Sequence, residues 1–219
     1  MLRYDAMIFD LDGTLLDSLP DIEHSINHTL KHLGLPLLSM DEVQCYIGNG
    51  VYNLIELCLP GGKDDVHFND CLTMFRTYYI NHMTNRTLPY NGICQALADL
   101  DQCGCKMAVV SNKVDKAVKQ LVQYFFDQYI KIAIGECPDT PRKPDPSGVL
   151  VAAAMLNVDP SKCLYVGDSP SDILTADNAG MISVGVAWGY RSEDELRTAK
   201  AKYILTNPDQ LLKLLDPNK

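Results

Sequence analysis

The chain has 219 residues, enough for one large domain or for a domain carrying a smaller insert. Its composition, 47% hydrophobic and 21% charged, is that of a water-soluble globular protein. The net charge of −9 argues against a broad nucleic-acid-binding surface, although one lysine and a metal can reverse the sign inside a single cleft and admit an anionic substrate.

The first apolar run, Ala6 to Phe9, reads as a short buried strand that ends in Asp10-Leu11-Asp12-Gly13-Thr14. Side chains two apart on an extended segment point the same way, so Asp10 and Asp12 can address one small volume. Two anions there repel unless a cation or a proton intervenes, and the pair reads as a magnesium and phosphate site. After Asp17-Ser18 the period becomes helical, with Ile22, Ile26, Thr29, Leu30 and Leu33 on one face and Gly34 as the stop. Residues 41–88 also read as helices, interrupted at Ile47-Gly48-Asn49-Gly50 and at Pro60-Gly61-Gly62. No strand is expected between Asp17 and Leu88, and Leu88-Pro89-Tyr90-Asn91-Gly92 reads as the return hinge. The five histidines show no pairing by spacing and are read as structural or surface residues.

From Ile93 strands and helices alternate. Helices are expected at 93–103, 115–125, 147–156, 171–179 and 208–215, and strands at 107–110, 130–134, 163–166, 182–186 and 203–205. Such alternation implies a parallel sheet covered on both faces, with ligands at the carboxyl ends of its strands. Three apolar runs do end in reactive polar groups: Phe9 into Asp10, Val110 into Ser111-Asn112-Lys113, and Val166 into Gly167-Asp168-Ser169. Between the last two lies Arg142-Lys143-Pro144-Asp145-Pro146, a lysine-bearing loop stiffened by prolines. Taken singly, several of these residues have structural explanations. Ser111 could cap a helix near Asp115, and Ser169-Pro170-Ser171-Asp172 could be a helix start with the acid at its third position.

Eight cysteines in a chain this long need not form disulfides. Cys58, Cys94 and Cys163 lie in apolar periodic runs and read as reduced thiols, and Cys103-Gly104-Cys105 lacks a second pair at zinc-ligand spacing. No apolar run approaches about 18 residues, and no apolar segment leads into a small-residue cleavage site. A cytoplasmic protein with neither membrane nor nucleic-acid partners is expected.

Four stretches in order, Asp10-Leu11-Asp12-Gly13-Thr14, Ser111-Asn112, Lys143 in Lys-Pro-Asp-Pro, and Gly167-Asp168-Ser169-Pro170-Ser171-Asp172, resemble the four motifs of the haloacid dehalogenase superfamily of phosphohydrolases. Asp17-Ser18-Leu19-Pro20-Asp21, Ile47-Gly48-Asn49-Gly50 and Trp188-Gly189-Tyr190 are further similar to its phosphoglycolate phosphatases. The dehalogenases of the superfamily lack the second aspartate, so Asp12 argues for phosphate chemistry. The β-phosphoglucomutase relatives carry a histidine where Ile22 stands, with His24 two residues away, which counts against a mutase.

The resemblance implies an α/β fold, a Rossmann-like doubly wound parallel sheet with a small α-helical cap inserted after the first strand. The core is then residues 1–17 and 89–219, and the cap 18–88. It implies a magnesium-dependent phosphatase for a small organic phosphate monoester, 2-phosphoglycolate first among candidates. Asp10 would be the nucleophile, Asp12 the acid and base, and Lys143 the charge between Asp10 and the phosphate. Thr14, Ser111 and Asn112 would bind the phosphoryl group. Asp10, the Asp12 carbonyl and Asp168 would hold Mg2+, with Asp172 supporting from behind and steadying Lys143. Gly48-Asn49-Gly50 is the candidate cap element that reaches the substrate, beside the reading of an ordinary turn. The alternatives are a phosphatase for a nucleotide, pyrophosphate or sugar phosphate, and a non-catalytic regulatory module on the same scaffold. Oligomeric state is not legible.

Overall fold

The computed structural model describes residues 3–138 and 140–215. The chain divides into two compact units, one of Met1–Leu16 with Pro89–Lys219 and one of Asp17–Leu88.

The first unit is built on strand β1 (Ala6–Phe9), whose four residues are completely buried. The chain leaves this unit on the two-residue strand β2 (Leu16–Asp17) and re-enters it on β3 (Leu88–Pro89). In the second unit lie α1 (Leu19–His32), α2 (Met40–Tyr46), α3 (Gly50–Cys58) and α4 (Phe68–His82). Back in the first unit follow α5 (Ile93–Gln102), β4 (Lys106–Val114), α6 (Asp115–Phe126) and β5 (Ile132–Glu136). Then come α7 (Ser147–Leu156), β6 (Cys163–Gly167), α8 (Pro170–Ala179) and β7 (Ile182–Val186). Helix α9 (Glu193–Thr198) and strand β8 (Tyr203–Leu205) complete the regular elements.

Six strands form one parallel sheet in the order β5-β4-β1-β6-β7-β8. β1 is central, which explains its continuous apolar run: a strand covered on both faces cannot alternate with polar residues. Ile8, Val110, Val149, Ala152, Tyr165 and Ala176 share the core cluster on the α7 and α8 side. The register places the chemistry. Phe9 stands opposite both Val109 and Val166, so Asp10 follows level with Val110 and Gly167. The polar ends of β1, β4 and β6 thereby meet at one edge.

The helical unit closes on its own core, with Ile22, Ile26, Leu30, Val43, Ile55, Leu72 and Phe75 buried. Asp21 is buried too, yet satisfied: its carboxylate accepts from the backbone N–H of Arg86 (3.0 Å) and Thr87 (2.9 Å) and from the Thr87 hydroxyl (2.8 Å). It fastens the start of α1 to the segment after α4. The turn 48–50 joins α2 to α3, and Asn49 is the residue preceding α3.

Several expectations need correction. β4 continues through Ser111 and Asn112 to Val114, with an irregularity in its pairing to β5 beyond Val110. Ser111 therefore lies within a strand and caps no helix. The expected C-terminal helix is instead two tight 3-10 turns, Pro208–Gln210 and Leu212–Leu215, because a segment this short gains too few i→i+4 bonds to offset nucleation. Four of the five histidines cluster in the helical unit, a grouping that the reading of no pairing by spacing leaves out. His24, His28 and His32 recur every fourth residue of α1, and Tyr78 of α4 stacks between His28 (3.7 Å between centroids) and His82 (3.8 Å). No helix among the described residues is long and apolar enough to cross a membrane.

Candidate active site

Asp10 sits where β1 ends. Its backbone N–H still pairs with the Val166 carbonyl at 2.8 Å, and its Oδ1 accepts from the N–H of Leu11 at 2.7 Å. The other oxygen, Oδ2, lies 2.9 Å from the Lys143 ammonium. Burial raises the Asp10 carboxyl to about 6, with Lys143 pulling it down and Asp172 pushing it up.

Lys143 stands on the loop between β5 and α7 and is 8% exposed. A lysine this dry needs partners, and it has two: besides Asp10, its ammonium donates to Asp172 Oδ1 at 2.6 Å. Burial alone would lower its pKa, but the Asp10 and Asp172 carboxylates outweigh burial and raise it well above the ordinary value. Asn112 fixes the loop that carries it. The Asn112 Oδ1 accepts from the Lys143 N–H at 2.7 Å, and its amide donates to the Lys143 carbonyl at 3.4 Å.

Asp172 serves two purposes at once. Its Oδ2 accepts from the Ser169 N–H (3.0 Å) and hydroxyl (2.6 Å), forming the capping box of α8. Its Oδ1 takes Lys143 and also lies 3.3 Å from the hydroxyl of Tyr165, which itself donates to the Val110 carbonyl at 2.9 Å. One side chain thus closes the start of α8 and meets the Lys143 ammonium.

Asp168 is held from the other side. The Tyr190 N–H donates to its Oδ2 at 2.8 Å, and the Thr14 hydroxyl reaches its Oδ1 at 3.4 Å. Burial, then the neighbouring Asp172 and Asp10 carboxylates, raise it to about 8. The segment after β7 forms this wall: Trp188 donates its indole N–H to the Thr14 carbonyl at 3.0 Å. Gly189 leaves no room for a side chain, since a Cβ there would collide with the Gly13 carbonyl and with Asp168. Gly189→Ala is therefore expected to displace Asp168. Loss of a ligand-orienting contact typically costs about 10- to 100-fold in metal affinity or activity. Magnesium titration of that variant, followed by calorimetry, checks it; wild-type affinity would contradict the tight packing seen here.

Asp12 points to a different cation. Lys113 donates to both of its carboxylate oxygens, each at 2.8 Å. Ser111, buried within β4, accepts from the Lys113 N–H at 3.4 Å through its hydroxyl.

Ligand oxygens of Asp10, Asp168 and Asp172 all lie within 4.8 Å of one another, and all three residues are buried. Three carboxylates facing the single ammonium of Lys143 leave the cluster short of positive charge. The raised Asp10 and Asp168 values express that shortage. An all-oxygen donor set with this appetite for charge fits a hard divalent cation such as Mg2+. Asp10 and Asp168 would hold it, as the sequence implies; Asp172 lies equally near but is already engaged by Lys143 and Ser169.

The edge thus gathers Asp10, Asp12, Thr14, Ser111, Asn112, Lys143, Asp168 and Asp172 within the first unit. Gly48, Asn49 and Gly50 belong to the second. Sequence reasoning missed Tyr165, whose apolar neighbours mark it as core, and Lys113, whose partner is 101 residues away. It also missed the Tyr190 N–H, a backbone group that no side-chain pattern can announce.

A parallel sheet with a buried carboxylate, a buried lysine and an acidic cluster at its strand ends defines an α/β protein whose polar site lies where such folds bind ligands. The sequence pattern of the haloacid dehalogenase-like hydrolases matches residues 7–186, and the chain belongs to that family. It is 35% identical over 212 residues to a phosphoglycolate phosphatase of Aquifex aeolicus, covering 96% of each chain. It is 31% identical over 224 residues to a phosphoglycolate phosphatase of Pasteurella multocida, covering 99% of this chain and 100% of that protein. Among solved structures it is similar to a predicted phosphoglycolate phosphatase from Haemophilus somnus, with a TM-score of 0.90, 30% identity, and coverage of 99% and 100%.

Proposed function

We propose that this chain is a magnesium-dependent phosphatase that hydrolyses a small organic phosphate monoester, 2-phosphoglycolate first among candidates, in the cytoplasm. The observation that carries the reading is the buried Asp10 carboxylate, ion-paired at 2.9 Å to a buried lysine inside a cluster short of positive charge. The names of the relatives at 30–35% identity support the substrate.

Phosphate monoesters resist water because their anionic oxygens repel a nucleophile, and two easier steps replace one hard one. Asp10 attacks phosphorus in line; an aspartyl O–P bond forms as the ester P–O bond breaks. Asp12 gives its proton to the departing alkoxide. Water then attacks the phosphorus of the aspartyl-phosphate while Asp12 takes a proton back, and phosphate leaves with Asp10 regenerated. Ser111 and the Asn112 N–H bind phosphoryl oxygens, and Lys143 supplies positive charge beside Asp10. Bound between Asp10, Asp168 and the Asp12 carbonyl, Mg2+ would neutralise charge on the nucleophile and the transferring oxygens. The helical unit takes the part of a cap that excludes water and selects the leaving group, with Gly48-Asn49-Gly50 as the turn to test.

A substrate panel tests the reading. Purified protein with magnesium should hydrolyse 2-phosphoglycolate with the highest kcat/KM, and chelation should abolish the activity. A higher kcat/KM on a nucleotide, pyrophosphate or sugar phosphate would reassign the substrate. No hydrolysis of any phosphate would replace the enzyme with a binding module.

A further inference from the structure

The cations at the strand ends are divided between two tasks. Lys143 is fixed between Asp10 and Asp172, the side of the site where the phosphoryl group is transferred. Lys113 stands elsewhere. It is the next-to-last residue of β4, its side chain is 9% exposed, and its ammonium spans both oxygens of Asp12 at 2.8 Å. No part of the mechanism above uses it.

Its position follows from Asp12. To protonate the departing alkoxide, the Asp12 carboxyl must sit at hydrogen-bond distance, about 2.7 Å, from the ester oxygen. The Lys113 ammonium, 2.8 Å from that same carboxyl, then stands no more than about 5.5 Å from the ester oxygen. A leaving group with a carboxylate on the carbon next to the ester oxygen carries its negatively charged oxygens three covalent bonds from that ester oxygen. That is within ion-pair reach of the ammonium. A neutral alcohol in the same place gains nothing from it.

We propose that Lys113 selects leaving groups that carry a carboxylate beside the ester oxygen. The inference rests on the reading of Asp12 as the acid and deepens it. Lys113 is a specificity residue: it reads the part of the substrate that departs, whereas Lys143 reads the part that stays.

The test compares 2-phosphoglycolate with ethyl phosphate, which has the same two-carbon skeleton without the carboxylate. Wild type should favour 2-phosphoglycolate in kcat/KM. Lys113→Met should reduce that preference by about tenfold to a hundredfold, the worth of one hydrogen bond to a charged group. The change should lie mostly in KM for 2-phosphoglycolate, and Lys113→Arg should restore part of it. Should the methionine variant not fold, Lys113→Gln, with a polar chain of similar reach, should show the same loss of preference. If kcat for both esters falls in parallel and the preference survives, Lys113 only positions Asp12 and the proposal fails while the substrate reading stands. If wild type itself shows no preference for 2-phosphoglycolate over ethyl phosphate, the substrate reading and the proposal fail together.

Discussion

Asp10→Asn should abolish turnover while leaving the protein folded. Asparagine has the shape of aspartate, and its side-chain oxygen can still accept the Leu11 N–H that now meets Asp10 Oδ1 at 2.7 Å. It cannot form an acyl phosphate, because a neutral amide oxygen is a poor nucleophile. Removing a covalent nucleophile from a working set typically lowers kcat by about four to six orders of magnitude, since the remaining groups have nothing to activate. Stability should change little. Burial already disfavours the charged form of Asp10, raising it to about 6, so a neutral side chain suits the pocket. Lys143 would keep its 2.6 Å contact with Asp172. Steady-state rates on an aryl phosphate, beside a thermal melt, check both halves. A folded variant with wild-type turnover would remove Asp10 from the chemistry and with it the covalent mechanism.

The site was legible in proportion to how local its signals are. A strand covered on both faces must read as an apolar run, so β1, β4 and β6 announce themselves; β1 and β6 end where polar residues begin, whereas β4 runs on through Ser111-Asn112-Lys113 to Val114. Parallel topology then brings those ends to one edge, which is why Asp10, Ser111 and Asp168 could be grouped without coordinates. Contacts that depend on tertiary geometry were hidden. The Lys113–Asp12 pair spans the gap between two adjacent strands, and nothing in Ser111-Asn112-Lys113 distinguishes the lysine from a surface one. The resemblance marks Asn112 as a phosphoryl-binding residue, and only the fold shows its side chain clamping the Lys143 loop from both ends of one residue. Gly189 enters the sequence reading only as part of the Trp188-Gly189-Tyr190 resemblance, and its packing against Gly13 and Asp168 is visible only in the fold. On α1 the signal was local and was passed over: three histidines four residues apart share a helix face by geometry alone. Only the packing of α4 reveals that Tyr78 fills the stack.

Lys143→Met should cost both activity and stability, and the stability loss should depend on pH and on magnesium. The substitution keeps a chain of similar length and removes the one ammonium facing Asp10 and Asp172. Three buried carboxylates would then face one another within 4.8 Å. Removing one partner of a buried ion pair typically destabilises by about 3–5 kcal/mol, because the remaining charge stays desolvated. The pH dependence follows from the directions of the shifts. Asp10 and Asp168 have folded values raised from 3.8 to about 6 and about 8, so the folded state holds more protons than the unfolded one across that interval. Their effect is nil below about pH 3.8, where both states are protonated, and it is a growing penalty on folding as pH rises towards 8. Without Lys143 these carboxyls lose their compensating charge, so the penalty deepens. The melting temperature of the metal-free variant should trail wild type most at pH 8 and least near pH 5. Saturating magnesium should recover part of the deficit at pH 8, because a divalent cation binding only the folded cluster stabilises it by mass action. Thermal melts at both pH values, with magnesium and with chelator, resolve the question. A deficit that neither acid nor magnesium relieves would mean that Lys143 supports the fold by packing alone, and that the three carboxylates do not share its charge.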